Sequence, residues 1–238
     1  MKVKNPSIIL VRPQLPENIG LVARAMHNFG LSELILVSPR EKWPNKKSLQ
    51  SAKNASIVIK KTKVYKSIEL AISKFHYVLA TTNRKRFLEK KTTNSFNDLN
   101  KYIFANKKIA ILFGPENSGL SNSDLRLVDC IFTIPTSKIN TSLNLSHAVS
   151  IVVYKIFEFI KINKINLNNT VSVTKISDKK ELTNFMKYLI LQLEKENFFY
   201  PLAKKQSMID NIYAIFLKAS LSKKEVNTLW GMFKKLTK

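Results

Sequence analysis

An α/β domain built on a mostly parallel sheet is the fold class this sequence predicts, and two patterns predict it. Along the first two thirds of the 238 residues, short apolar runs of strand length alternate with stretches whose apolar residues recur at helical spacing. Glycine is scarce, and four of the five glycines (Gly20, Gly30, Gly114 and Gly119) fall in two segments at the ends of such runs. Glycine serves where backbone turns with positive φ or comes close to a ligand, so these segments read as sites as well as turns.

Each element follows from its pattern. Ser7 to Val11 is the first strand, stopped by Arg12-Pro13. Asn18 offers an N-cap, and Ile19, Val22, Met26 and Phe29 recur at 3-4-3 spacing, a helical stripe that Gly30 closes. Leu34 to Val37 is a second strand, and Pro39 to Pro44 a basic loop. Ser48 to Ala55 reads as a short helix, and Ile57 to Ile59 with Val64 as a small strand. Ser67 to Lys74 reads as a helix with Ile68, Ala71 and Ile72 inward, leading to the strand Tyr77 to Ala80. The next stretch, to Lys91, is polar and then strongly basic. Lys90 and Lys91 read as solvated. Thr81, Thr82 and Asn83 differ, because they lie just past a strand's C-terminal end, where open α/β sheets bind ligands.

Phe96 to Phe104 and Leu125 to Val128 read as short helices around the buried strand Ile109 to Phe113. Ile131 opens a further strand-like run that Pro135 closes. In Leu145 to Ile162, the residues Ala148, Val149, Val152, Val153, Ile156, Phe157 and Ile160 cover most of a helix, which must be buried in a core or against a second subunit. Residues 163–177 are asparagine-rich and aperiodic, a linker between a domain of residues 1–162 and a helical extension of residues 178–238. In that extension Asp178 with Glu181 opens a helix carrying Leu182, Phe185, Met186, Leu189 and Leu193. Met208 to Ala219 is another, and Ser222 with Glu225 forms a capping box before Val226, Leu229, Trp230 and Phe233.

Forty Lys+Arg against sixteen Asp+Glu give a net charge of +24, which points to a polyanion, RNA first. Part of that excess is lysine drift of the kind an A/T-rich genome produces. The arginines are more telling, since Arg12, Arg24, Arg84 and Arg86 lie in or beside loops at strand ends. A single cysteine, Cys130, permits no internal disulfide and no cysteine-based metal cluster. The three histidines fit no metal-site spacing. No apolar run reaches transmembrane length, and Met1 to Pro6 lacks a signal peptide's hydrophobic region, so a soluble cytoplasmic protein is expected.

Three motifs then line up in order: N-x-G-x-x-x-R-x-x-x-x-x-G at Asn18 to Gly30, L-F-G-x-E-x-x-G-L at Leu112 to Leu120, and I-P … S-L-N at Ile134 to Asn144. In content and spacing they resemble the three motifs of the TrmH group of SPOUT RNA 2′-O-methyltransferases, over Pro6 to about Lys161. The unbroken loop lengths and the helical tail are most similar to the TrmJ branch. The resemblance implies a trefoil-knotted α/β domain that dimerises, and methyl transfer from S-adenosylmethionine to a ribose 2′-hydroxyl without a metal. The expected substrate is tRNA, at the pyrimidine opening the anticodon loop. Carried over residue by residue, the cofactor residues are Thr81, Thr82, Asn83, Gly114, Ile134, Thr141, Ser142 and Leu143.

Arg24 matches the family's catalytic arginine, proposed there as the general base. A guanidinium stays protonated at ordinary pH, so two accounts remain. Either phosphate contacts hold a transiently neutral arginine, or the charged group stabilises the developing alkoxide, and the second is favoured energetically. Asn18 and Glu116 match positions that shape the arginine loop; either could instead be a cap or a turn anchor. Ser142 and Asn144 match the third motif's polar pair, with Ser142 also a candidate N-cap for the long helix. Arg84, Lys85 and Arg86, with Arg24, are the expected RNA contacts. Pro115 departs from the polar or basic residue the family often has there. A ribosomal RNA 2′-O-methyltransferase and a non-catalytic RNA-binding protein on the same fold are the competing readings. The absence of G-x-G-x-x-G counts against a dinucleotide site.

Overall fold

A computed structural model describes residues 5–84, 90–104, 108–139, 141–163 and 176–237. Its seven strands are β1 (Ser7–Val11), β2 (Leu34–Val37), β3 (Lys63–Tyr65), β4 (Tyr77–Thr81), β5 (Lys91–Thr93), β6 (Ile109–Phe113) and β7 (Cys130–Phe132). They form one sheet in the order β3-β2-β1-β6-β4-β7-β5, and every pair is parallel. The central strands β1, β6 and β2 are buried throughout, as expected for a sheet covered on both faces. Residues 164–175, most of the expected linker, lie outside the described residues.

The period-2 alternation divides the core cleanly. Ile8 and Leu10 of β1, with Ile109, Ile111 and Phe113 of β6, face one layer; Ile9 and Val11, with Ala110 and Leu112, face the other. The first layer is made by α1 (Pro16–Asn28), α2 (Lys46–Ala52), α3 (Ser56–Lys61), α5 (Phe96–Phe104) and α7 (Leu145–Asn163). Gly20 lets α1 press on α2, for a Cβ there would meet the Ser48 carbonyl oxygen at 2.3 Å. α1 ends in a Schellman turn: Gly30 takes φ 74°, its N–H reaches the His27 carbonyl, and Leu31 donates to Met26 at 2.8 Å.

The second layer contains α4 (Ile68–Ile72), α6 (Asn122–Leu125), α8 (Lys179–Lys195), α9 (Lys205–Lys218) and α10 (Lys223–Leu236). The C-terminal helices are therefore packed onto the sheet side, sharing a core with Phe75, Leu125 and Val128. Phe185 is the buried centre of that contact, its ring 5.3 to 5.7 Å from those of Phe216, Trp230 and Phe233. Lys179 Nζ meets Asp129 Oδ1 at 2.5 Å with the side chains 4% and 7% exposed, and Arg126 Nε meets Asp210 Oδ1 at 2.6 Å. The capping box of Ser222 and Glu225 forms, and Asp178 caps α8.

Several expectations need correction. Asn18 is no cap: α1 starts at Pro16, whose fixed φ suits the first helical position and whose missing N–H is not needed there. Ile57 to Ile59 belong to α3, because Val58 and Ile59 pack under the sheet as a helical pair while Ile57 faces out. The short helix after Leu120 is Asn122–Leu125, set by the capping box of Ser121 and Asp124, not Leu125 to Val128. β5 was not expected; it hides in the basic stretch as the last strand of the sheet. Lys90 is not solvated: its ammonium donates to the carbonyls of Arg126 and Val128 at 2.8 and 3.0 Å. The expectation for α7, burial in a core or against a second subunit, stands: one face is buried in this core, and Ile151, Tyr154, Phe157 and Ile162 are exposed in the single chain.

Truncating the aromatic centre tests the shared core. Phe185→Ala should lower the unfolding free energy by about 3–5 kcal/mol. In urea denaturation the loss should appear in a single transition followed by both tryptophan fluorescence and far-UV circular dichroism.

Candidate functional site

Because β1, β6, β4 and β7 are adjacent and parallel, the loops leaving their C-terminal ends meet at one edge of the sheet. Three of these loops, after β4, β6 and β7, enclose a half-open cleft of about 270 Å³. It is lined by Thr81, Thr82, Asn83, Gly114, Ile134, Thr141, Ser142 and Leu143, all eight of the expected cofactor residues. Glu116 and Phe113, both letters of the second motif, line it too, as do Asn117, Leu145 and Ala148, which the motifs did not indicate.

The loops are stitched together through backbone. Thr82 donates its N–H to the Phe132 carbonyl, and the Thr133 hydroxyl returns a bond to the Thr82 carbonyl at 2.9 Å. Asn83 Nδ2 donates to the Thr141 carbonyl at 2.6 Å, and Arg84 Nη2 to the Asn117 carbonyl at 3.1 Å. Gly114 permits the tightest approach: a Cβ there would lie 2.4 Å from the Leu120 nitrogen. Gly119 takes φ 64°, which only glycine adopts freely. Arg84 is thus exposed at the cleft rim, whereas Lys85 and Arg86 lie outside the described residues.

Beside the cleft runs a polar chain. Glu116 accepts hydrogen bonds from the Gln14 and Leu15 amides at 3.0 and 3.3 Å and from Asn18 Nδ2 at 2.8 Å. Those amides precede α1, so the carboxylate also sits at the positive end of that helix. The other end of the buried Asn18 side chain accepts from Asn144 Nδ2 at 3.3 Å. Asn144 Oδ1 in turn accepts from the Ser146 amide at 2.8 Å, so Asn144 rather than Ser142 caps α7. Four of the five residues expected to be catalytic therefore gather in or beside the cleft. Arg24 does not. It is exposed further along α1, with no hydrogen bond or ion pair among the described residues.

A second tie joins the same loops. Arg12, at φ 47°, occupies the left-handed region that costs an L-residue about 1–2 kcal/mol. Its guanidinium makes a bidentate pair with Asp124, which completes the capping box with Ser121 at the start of α6. Burial works to raise the Asp124 carboxyl, but hydrogen bonds from Arg12 and Ser121 outweigh it and hold the group below the usual carboxylate range. Among the described residues no cluster of His, Cys, Asp and Glu could hold a metal, and no helix is long and apolar enough to cross a membrane.

A parallel α/β sheet with a looped cleft at the C-terminal ends of its central strands, and a helix returning from the last loop onto α1, is the architecture of the SPOUT methyltransferases. The sequence pattern of the SpoU rRNA Methylase family matches residues 5–154, and the chain belongs to that family. It is 31% identical to the tRNA (cytidine-2′-O-)-methyltransferase TrmJ of Methanocaldococcus jannaschii, over 96% of this chain and 98% of that protein. It is 30% identical to the tRNA (cytidine/uridine/adenosine-2′-O-)-methyltransferase TrmJ of Pseudomonas aeruginosa, over 94% and 91%. The crystal structure of TrmJ from Z. mobilis ZM4 superposes with a TM-score of 0.89 and 33% identity, covering 99% of this chain and all of that one.

Lys90, which follows the cleft's first loop in sequence, offers a pH readout. Burial pushes its ammonium down to about 8; the Asp129 carboxylate opposes that shift and Lys179 adds to it. The folded state therefore releases this proton earlier than the unfolded chain, and folding gains from rising pH between about 8 and 10.4. The neutral amine still has two N–H groups for its two carbonyls. Wild-type stability, measured relative to Lys90→Met, should rise between pH 8 and pH 10 in urea titrations.

Proposed function

We propose that this chain transfers a methyl group from S-adenosylmethionine to a ribose 2′-hydroxyl of tRNA, at the pyrimidine that opens the anticodon loop. The observation that carries the reading is the convergence of the motif loops on one cleft, in a chain similar along nearly its whole length to tRNA 2′-O-methyltransferases. Those relatives favour tRNA over ribosomal RNA. The cleft suits the cofactor: Phe113, Ile134 and Leu143 offer apolar surface to an adenine, and Gly114 lets the backbone of Gly119 and Leu120 fold in to close the wall beside it. When bound, S-adenosylmethionine supplies an activated methyl group. The protein's part is to orient the hydroxyl and stabilise the oxygen as its proton leaves.

Arg24 is the group for that task. Held charged, it stabilises the developing alkoxide and the neighbouring phosphate through a planar fork. Both oxygens of Glu116 are committed to holding the loop before α1, so Glu116 and Asn18 act on Arg24 by placing α1.

The position of Arg24 outside its own cleft argues for a second copy. Leu15 just before α1 and Leu21 on it, with Ile151, Tyr154 and Phe157 of α7, expose large apolar side chains where the two helices pack against each other. A homodimer through these helices covers that surface and brings Arg24 of one protomer to the cleft of its partner. Arg24→Ala should abolish methyl transfer to tRNA while leaving cofactor affinity within a few-fold. Mixing and refolding Arg24→Ala with Gly114→Val, whose side chain blocks the cleft loop, should restore about a quarter of wild-type turnover, since half the dimers are mixed and each has one intact site. No restoration would place Arg24 within its own subunit's reaction. Mapping of 2′-O-methylation on tRNA and ribosomal RNA treated with the enzyme tests the substrate.

RNA phosphates are expected at Arg84, with Lys85 and Arg86 beside it in sequence. Replacing Arg84 and Arg86 with alanine should flatten the dependence of log K on log salt by roughly one unit for each phosphate no longer neutralised. The matched pair Lys234→Ala and Lys235→Ala should leave the slope unchanged; equal effects would make net charge alone the source of affinity.

A further inference from the structure

Arg12 has no role in the motifs, yet the structure gives it an unusual setting. It follows β1 directly, its N–H reaching the Val37 carbonyl at 2.8 Å, and it takes a positive φ that a glycine would adopt without strain. Its side chain crosses to Asp124, 6% exposed, with Nη1 donating to Oδ1 at 3.1 Å and Nη2 to Oδ2. Asp124 is itself fixed, accepting the Ser121 amide at 2.8 Å while its own amide reaches the Ser121 hydroxyl. The loop from Gly114 to Leu120, which lines the cleft, is therefore held twice against the loop before α1. Glu116 reaches from the cleft loop to the amides of Gln14 and Leu15, and Arg12 reaches the opposite way, from just before those amides to the first turn of α6.

From this geometry we infer that Arg12 is a positioning residue for the methyl-transfer site: with Asp124 it clamps the β1–α1 loop to the far end of the cleft loop, and so fixes Glu116 and Asn117 in the cleft wall. The inference rests on the function proposed above for the reaction it affects, while the clamp itself is measurable without any substrate. The guanidinium cannot be replaced by an ammonium here, because a bidentate pair needs a planar fork.

Arg12→Gly removes the side chain and the backbone strain together, so it is the variant best able to fold. In the full chain without ligand, amide hydrogen exchange across residues 114–120 should quicken by about tenfold, while exchange in β1 and β6 stays as in the wild type. Turnover on tRNA should fall by about tenfold or more, with substrate KM changed less than kcat. Arg12→Lys should lie between, and adding Asp124→Asn to Arg12→Gly should cost little beyond the single change, because the two residues act as one unit. Unchanged exchange at 114–120 in Arg12→Gly overturns the clamp, whatever the activity. Weaker tRNA binding with a flatter salt slope and unchanged exchange also overturns it, and makes Arg12 a phosphate contact. Faster exchange at 114–120, in an enzyme whose wild type methylates no tRNA, supports the clamp and removes the proposed substrate instead.

Discussion

Hydrogen bonding between neighbouring parallel strands is the constraint from which the rest of this structure follows. Parallel pairing makes every strand end on the same edge, and the order β1-β6-β4-β7 then places four chain exits side by side although their residues are far apart in sequence. Loops that meet there must satisfy their own backbone groups. They do so on one another, through Thr82 with Phe132, Asn83 with Thr141, and Arg84 with Asn117. The cleft is what remains between these loops, and Gly114 marks where the loop after β6 folds most tightly on itself.

Its walls are held by polar groups that are mostly spent on structure. Glu116 has both oxygens engaged, Asn18 bridges it to Asn144, and Asn144 caps α7. Such a chain is strong when every member is satisfied and fragile when one is removed, since a buried polar atom without a partner carries the full desolvation penalty. Among the described residues, the arrangement leaves Arg24 as the unengaged cation of the first motif, on a helix whose position the chain determines. Under the proposed function, positioning by Asn18 and chemistry by Arg24 fall to residues six apart on α1.

Much of this was legible in sequence for physical reasons. Ile109 to Phe113 is apolar without interruption, which a strand buried on both faces requires, and its boundaries match the structure. The cleft-lining loops were legible because glycine and small polar residues gather at strand ends, and the family resemblance supplied the individual positions. The failures also have causes. Ile57 to Ile59 are β-branched and suggest a strand, but packing beneath the sheet overrides propensity in so short a segment. Asn18 looks like a cap because its true partners, Glu116 and Asn144, are about a hundred residues away. Lys90 looks solvated because its partners are backbone carbonyls, which leave no mark on composition. The Arg12 pair with Asp124 is invisible for the same reason of distance.

The docking of the C-terminal helices has a consequence for how the chain is made. Synthesis delivers the sheet first, with Asp129 already in place beneath β4, its Oδ2 taking the Val78 amide. Lys179, which neutralises the other oxygen, and Phe185, which covers Phe75 and its neighbours, emerge later. Until they do, a nascent chain carries a carboxylate without its ion-pair partner Lys179 beside an open apolar face. That face is a natural site for a chaperone to hold. Completion of the C-terminal helices, rather than of the cleft loops, is then the step that closes this face.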